Sequence, residues 1–184
     1  MEQEKFSQEE ALAPGYENTQ LEDAGSIRGW LLLFFILGAF SSVASVIINI
    51  AQVETLTFSL SMSDTVYALG RTALVFWMIN AFVQRTPDAV SVAKTYLCLN
   101  IAYGVVVFGA AAMLGFPNAE IIKIGAQSVI YGIIWYIFMN SSSQVAERIP
   151  EWYRRPNRAA QIFGGLVIVA VIALFAIGIS EIAY

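Results

Sequence analysis

The sequence predicts an all-α membrane protein, a polytopic bundle of five transmembrane helices, and three observations predict it. The 184 residues are 58% apolar and only 13% charged, with a mean hydropathy of +0.65, which is more apolar surface than a soluble domain of this size can bury. The apolar residues gather into five continuous runs, 29–50, 65–83, 90–114, 119–139 and 159–179, each near the roughly 20 residues that a helix needs to cross a hydrocarbon core about 30 Å thick. None of the runs has the roughly ten-residue in-and-out alternation of a barrel strand, and backbone left unpaired in lipid favours helices over any open sheet.

Ahead of the first run, residues 1–27 hold seven acids against Lys5 alone, whereas the remainder holds nine Lys/Arg against seven acids. The opening residues have no basic start followed by an apolar core, so they do not read as a cleaved signal peptide. They read as an acidic, solvated cytoplasmic tail. Four parts follow: the tail 1–27, a four-helix unit 28–146, a basic cytoplasmic loop 147–158 and a fifth helix 159–184.

Arg28 and Trp30 open the first span as a cation and an aromatic at the membrane edge. Ser41, Ser45 and Asn49 then recur every four residues, which sets them on one helix face that belongs inside the bundle, because lipid offers no hydrogen bonds. The connection after it contains a strict apolar/polar alternation from Leu56 to Met62, the period of a short strand. The second span carries Arg71, a charge that costs about 2.5 to 3.5 kcal/mol at mid-membrane on insertion scales. Counted from Asp64 it lies some 10 Å below the helix end at about 1.5 Å per residue. It is therefore expected to snorkel or to pair with Asp64, Glu54 or Glu120, and otherwise to be a functional charge in a cavity. Asn80 lies deeper in the same span.

Arg85, Pro87 and Lys94 make a short basic turn. In the third span, Asn100 calls for a polar partner on another helix, and Gly104 allows close backbone approach. Phe116, Pro117 and Asn118 read as a tight turn, with Asn118 as the cap of the fourth helix and Glu120 at its positive end. That helix has a small-residue side, Gly125, Ser128 and Gly132, and another side on which Gln127, Tyr131 and Trp135 repeat at four residues. The candidate buried polar cluster is Ser41, Ser45, Asn49, Arg71, Asn80, Asn100 and Gln127. On the fifth helix, Ala170, Ala173, Ala176 and Ser180 form a candidate packing ridge toward the bundle or another protein. Arg28, Trp30, Arg148, Trp152, Arg154, Arg155 and Arg158 are read as lipid-headgroup anchors.

Counting Lys and Arg on alternate sides gives eight on the side of the N-terminus and Lys123 on the other, joined by Arg71 if it snorkels outward. Cytoplasmic loops carry the excess, so the N-terminus is expected inside and the C-terminus outside. Short likenesses between the first and second hairpins, around Trp30 and Tyr96 and around Trp77 and Trp135, suggest a parallel repeat with the fifth helix as an addition.

Several of these motifs carry a resemblance. In Arg28-Gly-Trp-Leu-Leu-Leu, in Phe82-Val-Gln-Arg-Thr-Pro ahead of Lys94-Thr-Tyr-Leu, and in Ile134 to Phe138 with Ser142 and Val145, the chain resembles the bacterial inner-membrane family called domain of unknown function 2569. The likeness covers roughly residues 26–148. It departs from the family's Gly-Gly pair at Arg28-Gly29 and from its Lys-Arg pair at Ser143-Gln144. What the resemblance implies is a four-helix fold and the bacterial inner membrane, with no activity to carry over.

The chemistry is sparse. There is no histidine, a single cysteine (Cys98), no carboxylate pair within a span and no phosphate-cradling glycine loop, so neither catalysis, metal nor cofactor is expected, nor any nucleic-acid partner. The residues point first to an accessory or scaffold subunit packing against other membrane proteins or against itself. The alternative is a small-solute transporter or channel that uses the buried polar residues.

Overall fold

The computed structural model describes residue 27 and residues 29–51, 58–113 and 119–183. The acidic tail, Arg28, Glu54 and the Phe116-Pro117-Asn118 turn lie outside the described residues, as does the side chain of Glu120. The fold is an all-α bundle. Its elements are α1 (Gly29–Ala51), α2 (Phe58–Val83), α3 (Ala89–Met113), α4 (Ala119–Ser141), a short α5 (Ser143–Arg148), a 3-10 turn (Glu151–Tyr153) and α6 (Arg158–Ala183). Five of the helices, α1 to α4 and α6, are long and apolar enough to cross a membrane, and large apolar side chains such as Phe40, Phe58, Leu69, Ile137 and Leu166 face outward along them. The chain is thus a multi-pass integral membrane protein.

Helices α2 and α3 form the centre. α1 packs on α2, α4 packs on α3, and α6 packs on both from the opposite side. Glycine sets the closest approaches. A Cβ on Gly104 would stand 2.7 Å from the Gly125 carbonyl oxygen, and one on Gly132 would stand 3.1 Å from that of Leu97, so the small-residue side read on the fourth helix is the α3–α4 seam. On α6 the buried positions are Ala160, Gly164, Val167, Val171 and Gly178, a helical spacing of three and four. Gly164 meets Thr95, Val167 meets Gly70 and Gly178 meets Leu60.

This corrects the expected ridge as a contact within the chain. Ala173, Ala176 and Ser180 are exposed and Ala170 is half-buried, and Ser180 Oγ donates to the Ile177 carbonyl of its own helix at 2.6 Å. Along most of α6 the bundle uses glycine and valine, where backbone can approach or a branched side chain fill, and turns Ala173 and Ala176 outward.

A second correction concerns the alternating segment. From Phe58 onward it is helix, and the second span begins seven residues before the expected Thr65. Ser59, Ser61 and Ser63 are buried while Phe58 and Met62 are exposed. The serines are small enough to face neighbouring helices, and Ser63 satisfies itself by donating to the Leu60 carbonyl at 2.7 Å, a local bond open to serine in any helix.

At the end of the bundle holding the 84–88 turn, the loop after α4 is tied down rather than loose. Gln144 Oε1 accepts from the Leu31 amide at 3.2 Å, taking up one of the unpaired donors at the start of α1. Gly29 precedes it with φ +58° and Gln144 against its α-carbon, a backbone conformation glycine adopts without strain. The Arg155 amide donates to the Pro87 carbonyl at 2.7 Å. Asn157 donates its side-chain amide to Asp88 and accepts from the Ala160 amide at 2.8 Å, capping α6. At the opposite end, Ser59 Oγ donates to Glu181 Oε1 at 2.7 Å, so α6 finishes beside the start of α2.

A candidate intramembrane binding cleft

Because α2 starts at Phe58, Arg71 stands 13 residues into a 26-residue helix, or about 20 Å from either end at about 1.5 Å per residue. That is too deep for the expected snorkelling to the near end. Its guanidinium turns into the bundle instead, where Nη2 donates to Ser41 Oγ at 2.6 Å and Nη1 to Ser45 Oγ at 3.3 Å. Both serines have directed their own hydrogens to their helix, Ser41 to the Gly38 carbonyl at 3.2 Å and Ser45 to the Ser41 carbonyl at 2.7 Å. Their lone pairs are thereby left facing the arginine as acceptors. Two members of the four-residue stripe on α1, Ser41 and Ser45, thus hold Arg71 in place.

The pairing expected with an acid does not occur among the described residues. Their one ion pair joins Arg154 and Glu151 at 3.8 Å, and Asp64 accepts instead from the Tyr103 hydroxyl at 2.8 Å. Arg71 keeps a buried Nε–H without an acceptor. The hydroxyls of Tyr96 and Tyr131 close around the same guanidinium, side by side under Gly38, yet neither is in a well-directed hydrogen bond to another protein group. Next to these buried groups lies a cavity of about 360 Å³ whose wall includes Leu37 and Ser41 of α1, Arg71 of α2, Asn100 of α3 and Gln127 and Tyr131 of α4. The Gln127 amide is exposed.

The walls follow from packing. α1 and α4 each lean on a central helix and have little contact with one another, so a cleft runs between them over α2 and α3. Toward the 84–88 end it is shut by aromatic side chains: Phe34 of α1 stands 4.8 Å from Trp135 of α4, 6.2 Å from Tyr96 and 6.4 Å from Tyr131, centroid to centroid. Such pairs add about 0.5–1.5 kcal/mol each beyond their buried area.

Of the seven residues expected in one polar cluster, Ser41, Ser45, Arg71, Asn100 and Gln127 come together at this cleft. Asn100 is buried and structural in its bonding: Oδ1 accepts from the Tyr67 hydroxyl of α2 at 2.9 Å, and Nδ2 donates to the Tyr96 carbonyl at 2.7 Å, which supplies the cross-helix partner expected for it. Asn49 is elsewhere, donating to the Asp64 carbonyl at 3.0 Å. Asn80 lies on the exposed face of α2 and accepts from its neighbour Gln84 at 3.0 Å. Nine residues after Arg71, about two and a half turns, it points to the opposite side of the helix. Tyr96 and Tyr131 are the members missed; Tyr131 was marked by its four-residue repeat with Gln127 and Trp135.

The expected headgroup anchors divide. Trp30, Trp152, Arg155 and Arg158 are exposed as an anchor must be. Arg148 is not. It is buried, and its Nε and Nη2 donate to the Phe82 and Val83 carbonyls at 3.2 and 3.1 Å, so it caps the C-terminus of α2, where the helix dipole favours a cation. Burial first, and then the nearby Arg85, push its pKa down, from a value so high that the charge persists at neutral pH. Arg154 is half-buried and donates to the Ile149 carbonyl at 3.0 Å.

No family model, curated protein or solved structure matches this chain.

Proposed function

We propose that the protein binds a small anionic solute, a carboxylate or phosphate, in the cleft around Arg71, and that it belongs functionally with membrane carriers. The observation that carries this reading is a mid-helix guanidinium held by two serines and paired with no carboxylate among the described residues, with further donors converging beside it. Buried charges in membranes are rare and mark solute sites or proton paths when they face a cavity. Arg71 brings the one formal charge among the residues that line the cavity, and the hydroxyls and amides around it can donate as well as accept, so the complement to that charge is an anion. The volume sits at the low end of ligand pockets, roughly 300–1,000 Å³. By the excess of Lys and Arg, the end holding Arg85, Lys94 and Arg154 faces the cytoplasm, and the family resemblance places that membrane as a bacterial inner one.

The test is Arg71→Met. Methionine keeps much of the side-chain volume and removes a buried charge, and Ser41 and Ser45 keep their bonds to their own helix, so the variant is expected to fold, which its melting in detergent checks. Purified wild-type protein is expected to be thermally stabilised by members of a panel of small carboxylates and phosphates and to move the active one across liposomes, and Arg71→Met to lose both responses. Equal responses in the two proteins would remove Arg71 from the site.

A second reading, the accessory subunit, is favoured by one observation: Ala173, Ala176 and Ser180 form an exposed small-residue strip that the bundle does not cover. A partner helix could approach closely there.

A further inference from the structure

The other flank of α3 carries a groove that shares no residue with the cleft. α4 and α6 both pack on α3 but make little contact with one another, and between them lies a depression of about 400 Å³ whose wall includes Lys94, Thr95, Cys98, Tyr136, Gln161 and Ile168. Its polar groups are at one end. Lys94 is five residues past the start of α3, about 7.5 Å along the axis, which is headgroup depth for a helix that begins at the interface. It is half-buried, its ammonium stands 5.8 Å over the Tyr136 ring, and no carboxylate among the described residues pairs with it. The exposed Gln161 side chain comes to the same rim from α6, one turn below the exposed Arg158.

Deeper in, the wall is apolar: Cys98, Leu99, Ala102 and Ile168. Ala102 is eight residues, about 12 Å, below Lys94 along α3. There is room for a chain, because a Cβ built on Gly165 meets nothing within 4 Å.

We propose that this groove is a site for an anionic phospholipid, with its phosphate against Lys94 and Gln161 and one acyl chain lying over Cys98 and Ala102. Charge decides the occupant. A cation at headgroup height above an apolar trough matches a lipid that is negative at the top and hydrocarbon below, and basic pockets between transmembrane helices take anionic headgroups for the same reason. A packed partner helix would leave the Lys94 ammonium beneath it without a counter-charge.

Cys98 is the chain's one cysteine, it is exposed, and it lies in the groove, so its alkylation reads occupancy directly. The full chain is placed in nanodiscs of phosphatidylcholine alone or with phosphatidylglycerol, and the rate of Cys98 labelling by a membrane-permeant maleimide is measured. Phosphatidylglycerol is expected to slow labelling about fivefold, the factor that one cation at an anionic surface is worth. Lys94→Gln should abolish the difference and Lys94→Arg keep it. Gly165→Leu, which fills the trough, should slow labelling in both lipids and remove the phosphatidylglycerol effect. Labelling that ignores the lipid, equal slowing in Lys94→Gln, or protection that follows protein concentration instead of lipid would each overturn the proposal.

Discussion

Two kinds of contact meet on the central pair α2 and α3. Along the seams with α4 and α6, glycine lets backbones come within van der Waals distance: Gly104 against Gly125, Gly70 against Val167, Gly178 against Leu60. Around the cleft toward α1 and α4 the contacts are polar, and a cavity opens instead of a seam. Within membranes, apolar side chains gain nothing by leaving lipid for one another, so association rests on close packing and on hydrogen bonds. The seams use the first and the cleft uses the second. The cleft then goes further than association requires, because Arg71 Nε and the Tyr96 and Tyr131 hydroxyls lack directed protein partners. These unmet donors are what the proposed anion site rests on.

The largest expected effect breaks a seam. In Gly104→Val the new Cβ would sit 2.7 Å from the Gly125 carbonyl oxygen and 3.2 Å from the Val129 amide nitrogen, backbone atoms that cannot move without separating α3 from α4. Overpacking of this kind costs about 3 kcal/mol. Gly109→Val is the control, since a Cβ there meets nothing within 4 Å. Denaturation of the two variants side by side in one detergent should show the first strongly destabilised and the second close to wild type.

An intermediate effect separates structural polar groups from those that bind. Asn100→Leu removes the acceptor of the buried Tyr67 hydroxyl, and interhelical hydrogen bonds in membranes average about 0.6 kcal/mol with a maximum near 1.7. A loss of about 1 kcal/mol is expected, with Tyr67→Phe nearly neutral in the Asn100→Leu background because the two act as a pair. Anion-dependent stabilisation should survive. Its disappearance would move Asn100 from scaffold to ligand.

The five spans were legible because hydrophobic runs of the right length have few alternatives in lipid. So was the seam of α4, where Gly125 and Gly132 stand on one side, and so was the pull of Asn100 toward a partner. The start of α2 was not legible. Serines at 59, 61 and 63 alternate with Phe58, Leu60 and Met62 as in a strand, and nothing local says that Ser63 will satisfy its hydroxyl on its own helix. That error set the depth of Arg71 too shallow and made snorkelling look available. Arg148 was misread and Tyr96 missed for a different reason. The Val83 carbonyl that Arg148 caps and the Arg71 guanidinium beside Tyr96 are 65 and 25 residues away, and only the packed bundle brings them close. Chemical type was readable along the chain, whereas assignment to cap, anchor or cleft depended on contacts between helices.

The smallest expected effect tests the outward face of α6 against its inward one. Ala173→Leu with Ala176→Leu enlarges two side chains that are exposed in the bundle, so the isolated protein should change in stability by less than about 0.5 kcal/mol. A larger loss in detergent would mean that these alanines belong to a seam after all. If the same pair of substitutions leaves stability intact but releases a stoichiometric membrane partner recovered with the wild-type protein, the strip is a docking face, and α6 serves two neighbours at once: glycine and valine toward its own bundle, alanine toward another. If wild type and variant purify with identical composition, the strip faces lipid alone, and the cleft around Arg71 is left as the proposed functional feature of the chain.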